Sequence, residues 1–132
     1  MNEFNCLLLI DDDHIATFLN KVMLKKLNLC NHIDTAVNGE EGLKKLLHTK
    51  SYDNSCPGLV FLDINMPVMN GFEFMESFNE TDIVNKENIK IVVLTSSGNE
   101  QDLLRMSKLG IKHYLTKPLT EEKVKKLISE FN

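Results

Sequence analysis

The chain has 132 residues, 42% of them apolar and 26% charged, and a formal net charge of −4. That length gives one domain with one sizeable core, and the balance is that of an ordinary soluble globular protein. The mildly acidic charge and the lack of a long basic block argue against nucleic-acid binding, and no apolar stretch approaches a membrane span.

Met1-Asn2-Glu3-Phe4-Asn5 lacks the basic opening of a secretory signal. Cys6-Leu7-Leu8-Leu9-Ile10 is a continuous apolar run, closed by Asp11-Asp12-Asp13. A helical pattern follows, with Ile15, Phe18, Leu19, Val22, Met23 and Leu27 at steps of three and four. His32 to Val37 alternates and reads as a strand near a sheet edge. Asn38-Gly39 is a turn or cap, and Leu43, Leu46 and Leu47 mark a second helix. Thr49 to Gly58 is polar and loop-like. Leu59 to Leu62 is a short apolar run of the kind found in the middle of a parallel sheet, and it ends in Asp63. Phe72, Met75 and Phe78 suggest a third helix, with Asn79 to Asn88 a second polar loop. Ile89 to Leu94 is a strand ended by Thr95-Ser96-Ser97-Gly98. Leu103, Leu104 and Leu109 lie on a fourth helix, which Gly110 terminates. Ile111 to Leu115 is a short strand before Lys117-Pro118, and Val124, Leu127, Ile128 and Phe131 make the last helix.

This is strand then helix, five times over. Such alternation predicts an α/β fold with a parallel sheet and right-handed helical crossovers on both faces. A closed eight-unit barrel needs about 250 residues, so the sheet is open. Cys6, Cys30 and Cys56 are widely spaced and form no CxxC. An odd, scattered set fits the reduced thiols of a cytoplasmic protein better than a disulfide framework or a zinc site.

In a parallel sheet all strand C-termini share one edge, where ligands bind. Four of the five strands here end in chemistry: Asp11 to Asp13, Asp63, Thr95 to Ser97, and Lys117. Each has a plain reading when taken singly. Asp11 to Asp13 or Thr95 to Ser97 can be helix caps, Asp63 can open a turn, and Lys117 can be a solvated surface residue. Together the plain readings fit poorly. Three acids converging on one point repel, and each is costly without a cation. Hard oxygen ligands of this type suit Mg²⁺.

The set Leu8-Leu9-Ile10-Asp11-Asp12-Asp13, Phe61-Leu62-Asp63-Ile64-Asn65-Met66-Pro67 with Gly71, Val93-Leu94-Thr95-Ser96, and Tyr114-Leu115-Thr116-Lys117-Pro118 resembles the receiver domain of two-component response regulators. The resemblance covers nearly the whole chain, read as a single domain over 1–132. It implies a (βα)5 flavodoxin-like fold with strand order 2-1-3-4-5. It also implies a phosphoacceptor switch rather than an enzyme, with only self-phosphorylation and self-dephosphorylation expected. Asp63 would be the phosphoacceptor, taking its phosphoryl group from a sensor histidine kinase or a histidine phosphotransfer protein. Asp12 would ligate Mg²⁺ directly and Asp11 through a water, with Asp63 and the backbone carbonyl of Asn65 completing the protein ligands. Lys117 would pair with Asp63 and then with the phosphoryl group, and Thr95 would donate its hydroxyl to it. The family carries a cis peptide bond at Pro118, which would aim Lys117 inward. Asp13 receives no direct ligand role.

The resemblance further implies that Thr95 and Tyr114 form the switch. The face of the fourth helix, fifth strand and fifth helix would then meet a downstream partner, with Arg105, Lys108, Lys112 and Tyr114 as candidates. The other reading of Tyr114 is an edge residue with its hydroxyl in water. The chain ends at Asn132, so output is expected through another protein or a relay, with the chain a monomer or a phosphorylation-dependent dimer. Ser96 is small, which keeps access to Asp63. His14 and His113 read as surface residues rather than metal ligands. One competing function is a phosphate-independent interaction module of the same fold, against which the intact acid cluster, Thr95 and Lys117 stand. Another is an aspartate-nucleophile phosphohydrolase, which wants Asp-x-Asp where this chain has Asp63-Ile64-Asn65. A flavin or nucleotide binder would want a Gly-rich turn where the chain has three aspartates.

Overall fold

Five strands and five α-helices alternate along the chain in this computed structural model, which describes residues 4–48, 58–66, 69–83, 86–96 and 100–131. They are β1 (Phe4–Ile10), α1 (His14–Leu27), β2 (Cys30–Ala36), α2 (Gly39–His48), β3 (Leu59–Asp63), α3 (Gly71–Glu80), β4 (Lys90–Thr95), α4 (Glu100–Lys108), β5 (His113–Thr116) and α5 (Glu121–Glu130). All four strand pairings are parallel, in the order β2-β1-β3-β4-β5. The expected open sheet and its strand order are therefore found, with β2 at an edge as its alternating pattern suggested.

The continuous apolar runs follow from this topology. Side chains along a strand point alternately to opposite faces. Leu7, Leu9, Leu59, Phe61, Val92 and Leu94 face a core closed by Leu24 of α1 and Val124, Leu127 and Ile128 of α5. Leu8, Ile10, Val60, Leu62, Ile91 and Val93 face a second core, closed by residues of α2, α3 and α4 that include Leu46, Phe74, Phe78 and Met106. A strand covered on both faces needs apolar side chains at every position, and β3 is buried throughout. Among the described residues no helix is long and apolar enough to cross a membrane.

Four expectations need correcting. The apolar periodicity of the first helix locates α1, but Ile15, Phe18, Leu19 and Val22 are exposed. Of the six residues in that pattern, Met23 and Leu27 do pack on the sheet, beside Leu24, which is fully buried. The segment from Asn79 is not all loop. α3 continues through Glu80, and Lys86–Asn88 forms a 3-10 turn. Lys86 Nζ donates to the carbonyls of Asn79 and Thr81 at 3.1 and 3.0 Å, which satisfies oxygens that a helix end leaves open. The strand expected from Ile111 begins only at His113. Gly110 takes a φ of +100°, and its N–H and that of Ile111 donate back to the carbonyls of Ser107 and Met106, both at 3.0 Å. Ile111 thus caps α4, and its apolar side chain is buried there rather than in the ladder. Finally, Cys6 is disulfide-bonded while Cys30 is a free, half-buried thiol pushed up by burial. Spacing along the chain cannot tell which thiols the fold brings close, so the expectation of reduced thiols fails at Cys6. Residues 49–57 of the loop expected from Thr49 to Gly58, with Cys56, and the motif residues Pro67, Ser97 and Gly98 lie outside the described residues.

Gly71 seats α3 against the exit of β3. Its N–H donates to the Ile64 carbonyl at 2.8 Å, and a Cβ at this position would stand 2.8 Å from the Asp63 carbonyl oxygen and 2.9 Å from Ile64 Cα. Both obstacles are backbone, so a side chain must move the helix or the strand end. Gly71→Ala is expected to destabilise the fold by about 1–3 kcal/mol, seen as a lower urea midpoint at unchanged slope. An unchanged midpoint would show that α3 can retreat from the strand end at no cost.

Candidate functional site

The four strand ends meet as the topology requires. Asp11 follows β1 and is buried, with its N–H bonded to the Ala36 carbonyl at the end of β2. Its Oδ1 accepts from the Asp13 N–H at 2.9 Å, which folds the loop back on itself. Asp13 caps α1, accepting from the N–H groups of Ile15 and Ala16. Asp12, between them, is exposed. Asp63 closes β3 and Thr95 closes β4, both buried. Lys117 leaves β5 with its N–H on the Thr95 carbonyl at 2.7 Å, and the Lys117–Pro118 bond is cis.

Carboxylate oxygens of Asp11, Asp12 and Asp63 lie within 4.8 Å of one another. The Lys117 ammonium stands 3.0 Å from Asp63 Oδ1 and 3.7 Å from Asp11 Oδ2. One cation therefore faces three acids, and the pKa directions follow from that imbalance. Burial pushes the Asp63 carboxyl above its ordinary 3.8; the Lys117 hydrogen bond opposes this, and the charges of Asp11 and Asp12 push it up again. Burial alone would pull the Lys117 ammonium down, but Asp63, Asp11 and Asp12 outweigh it and hold Lys117 above its usual range.

The same imbalance fits a divalent ion. Asp11 Oδ2 is buried and has no hydrogen-bond partner among the described residues. With oxygens from Asp12 and Asp63 it makes a hard, anionic, one-sided donor set, open to water at Asp12. That is the chemistry Mg²⁺ prefers.

Residues 7–129 match the family model of the response regulator receiver domain. The chain belongs to that family. It is thus a receiver domain of two-component response regulators, a phosphoacceptor switch, and receiver domains bind Mg²⁺ at an acidic pocket. It is 38% identical over 93 residues to the chemotaxis protein CheY of Treponema pallidum, covering 69% of this chain and 58% of that protein. It is 28% identical over 124 residues to a probable C4-dicarboxylate response regulator, DctR, of Halalkalibacterium halodurans, covering 94% of this chain and 50% of that protein. The chain thus spans 50% of the length of one of these relatives and 58% of the other. Among solved structures it resembles the CheX–CheY–BeF3–Mg²⁺ complex of Borrelia burgdorferi, with 29% identity, a TM-score of 0.76, and coverage of 97% of this chain and 90% of that one.

The surroundings of the receiver's acid cluster refine the sequence reading. Tyr114 pairs in register with Val93, two residues before Thr95. Its hydroxyl is half-buried and bonded to the protein. It lies 3.2 Å from the Leu103 carbonyl of α4 and 3.1 Å from the Ile111 carbonyl, and its ring packs on the second core. Arg105 stacks over the Phe72 ring at 4.0 Å, so it turns toward α3 rather than toward β5. His14 opens α1 and is exposed, whereas His113 sets its ring edge-on to Phe131 at 4.7 Å. Sequence reasoning missed Lys123, whose ammonium donates to Thr116 and Pro118 on either side of Lys117. The available signal was a lysine in the first turn of α5, where an acid is the usual choice.

In the metal-free receiver, the Asp63 carboxyl is expected to titrate with a midpoint above 3.8. A carboxyl that binds its proton more tightly folded than unfolded costs stability once ionised, so stability should fall as pH rises from 3.8 to the raised midpoint. Carbon-13 NMR of the Asp63 carboxyl checks this, and a midpoint at or below 3.8 refutes it.

Proposed function

We propose that residues 1–132 act as a single receiver domain that accepts a phosphoryl group on Asp63 and relays its presence to the face formed by α4, β5 and α5. The observation that carries this reading is the convergence at one sheet edge of Asp11, Asp12 and Asp63 with the Lys117 ammonium 3.0 Å from Asp63. A carboxylate oxygen of Asp63 attacks phosphorus. A P–O bond forms as the P–N bond to the imidazole of a histidine kinase or phosphotransfer protein breaks. Asp12 and Asp63, with the backbone carbonyl of Asn65, would hold Mg²⁺ directly, and Asp11 would hold it through a water. When bound, Mg²⁺ neutralises charge on the transferring phosphoryl oxygens. The Borrelia burgdorferi relative was solved with Mg²⁺ and beryllofluoride, which supports the same two ligands here.

Lys117 moves from Asp63 to a phosphoryl oxygen, and the Thr95 hydroxyl donates to another. The donor protein approaches over the open edge, where the exposed apolar side of α1 begins directly after the Asp13 cap. The work of this chain lies in accepting and holding phosphate, with self-phosphorylation and self-dephosphorylation as its only chemistry. We read its setting as cytoplasmic from its membership of the receiver family, not from its thiols, since Cys6 is disulfide-bonded, and it acts as a monomer or a phosphorylation-dependent dimer.

Asp63→Asn keeps shape and removes the nucleophile, so it should fold and take up no phosphate. With Mg²⁺ and a small acyl phosphate, intact-mass spectrometry of the parent should show a base-labile gain on Asp63. The same gain should be at background in Asp63→Asn and strongly reduced in Asp12→Asn. Substantial labelling of Asp63→Asn would move the acceptor elsewhere and sink the assignment.

For the relay, Thr95 is drawn toward the phosphoryl group and frees space beside α4. Tyr114, whose hydroxyl rests on the Leu103 carbonyl of α4, then moves inward and leaves that carbonyl. The outer face here carries Lys108, Lys112 and a hollow of about 340 Å³ between β5 and α5, lined in part by Tyr114, Lys126 and Glu130. Phosphate need favour one arrangement by only about a few kcal/mol. Thr95→Ala should therefore still be phosphorylated. Beryllofluoride should shift amide resonances around Tyr114 less in this variant than in the parent. Equal shifts in the two proteins would mean that the signal leaves the site by another route.

A further inference from the structure

We propose that Lys123 is a positioning residue for phosphoryl transfer, acting through Lys117. This inference rests on the reading that Lys117 serves Asp63 in the transfer. Lys123 Nζ donates to the Thr116 carbonyl at 2.9 Å, the Thr116 hydroxyl oxygen at 3.3 Å and the Pro118 carbonyl at 3.0 Å. An ammonium has three protons, and here three acceptors surround it. They belong to the residues immediately before and after Lys117. A fourth contact fixes the same turn from the other side: the Lys117 N–H donates to the Thr95 carbonyl at 2.7 Å. The backbone from which the Lys117 side chain springs is thus held on the α5 side by Lys123 and on the β4 side by Thr95.

The place of Lys123 in α5 makes this contact informative. Thr120 caps the helix and accepts from the Lys123 N–H, so Lys123 is the third residue of the first turn. A cation there faces the positive end of the helix, and a glutamate at that position would complete a capping box. The first two residues, Glu121 and Glu122, obey the acidic preference, and Lys123 breaks it. A local rule broken without benefit to the helix points to a role outside it. That role is in the turn, because the long flexible stem of Lys117 reaches Asp63 at 3.0 Å only if its root is held in place.

The test is a double-mutant cycle on the whole chain, with acetyl phosphate as donor and saturating Mg²⁺, following the initial rate of Asp63 labelling by intact mass. Lys123→Met should slow labelling roughly three- to tenfold, short of the hundredfold that a full misplacement can cost. Its Mg²⁺ affinity by calorimetry should stay within about twofold of the parent, because Lys123 touches no carboxylate of the cluster. Lys123→Arg, which keeps a multi-proton cation, should recover most of the lost rate. In a Lys117→Met background, Lys123→Met should cost nothing further, since the group it positions is gone. An equal fractional loss in both backgrounds would mean a merely structural role and overturns the proposal, as does an unchanged rate in Lys123→Met. Failure of the underlying reading looks different: the parent would not label at Asp63, or Lys117→Met would label as fast as the parent.

Discussion

One ammonium among three carboxylates is the constraint on which the rest of this receiver turns. Lys117 stands within 3.7 Å of both Asp11 and Asp63 but cannot neutralise them and Asp12 together. The excess negative charge makes the edge receptive to a divalent cation, and it leaves Asp63 under an environment that disfavours its ionised form. The fold holds this unfavourable grouping by anchoring Asp11 and Asp63 to strands that cannot retreat, with Asp12 exposed beside them. Leu59 to Leu62 have no solvent exposure, and neither has Ile10 before Asp11. Two buried cores, one on each face, fix the strand ends against their mutual repulsion.

Much of this was legible in the sequence because the physics concerned is local or strictly periodic. Leu59 to Asp63 announces a strand covered on both faces, and such a strand belongs in the middle of a parallel sheet. Once the alternation of strands and helices is read, the shared edge of Asp11, Asp63, Thr95 and Lys117 follows from topology alone. The misreadings share a different cause. Ile15, Phe18 and Leu19 have the spacing of a buried face, but spacing gives a stripe and does not say which stripe the sheet selects. Ile111 is apolar and β-branched, yet Gly110 commits its N–H to a helix cap. The disulfide at Cys6 is a pairing that spacing along the chain does not encode. The hydrogen bonds of Lys123 depend on how a first helical turn is placed over the preceding strand end. Such facts are non-local, and a single sequence carries no periodic trace of them.

Site and surface share their hardware on β4 and β5. Thr95 pairs with Thr116 and Val93 with Tyr114, so one strand pair carries the hydroxyl at the acid cluster and the aromatic ring below α4. The Tyr114 hydroxyl lies between the carbonyls of Leu103 and Ile111, the first inside α4 and the second in its cap. A single O–H has one proton for these two acceptors. That proton therefore chooses between two near-equal distances, 3.2 and 3.1 Å, while the Ser107 side chain of α4 bonds the same hydroxyl.

The sheet is also a wall. The core under α1 and α5 and the core under α2, α3 and α4 are formed by alternate residues of the same strands, and neither includes a side chain of the other. Lineages can therefore repack one side while the other keeps its composition. Substitutions on opposite sides should combine almost independently, as distant sites do. What crosses the wall is displacement of a strand as a body, and every strand that could shift, β2 apart, delivers a group to the acid cluster at its end. The chemistry thus sits at the one place where the two halves of the molecule must agree, and each half can drift freely only so long as the strand ends stay still.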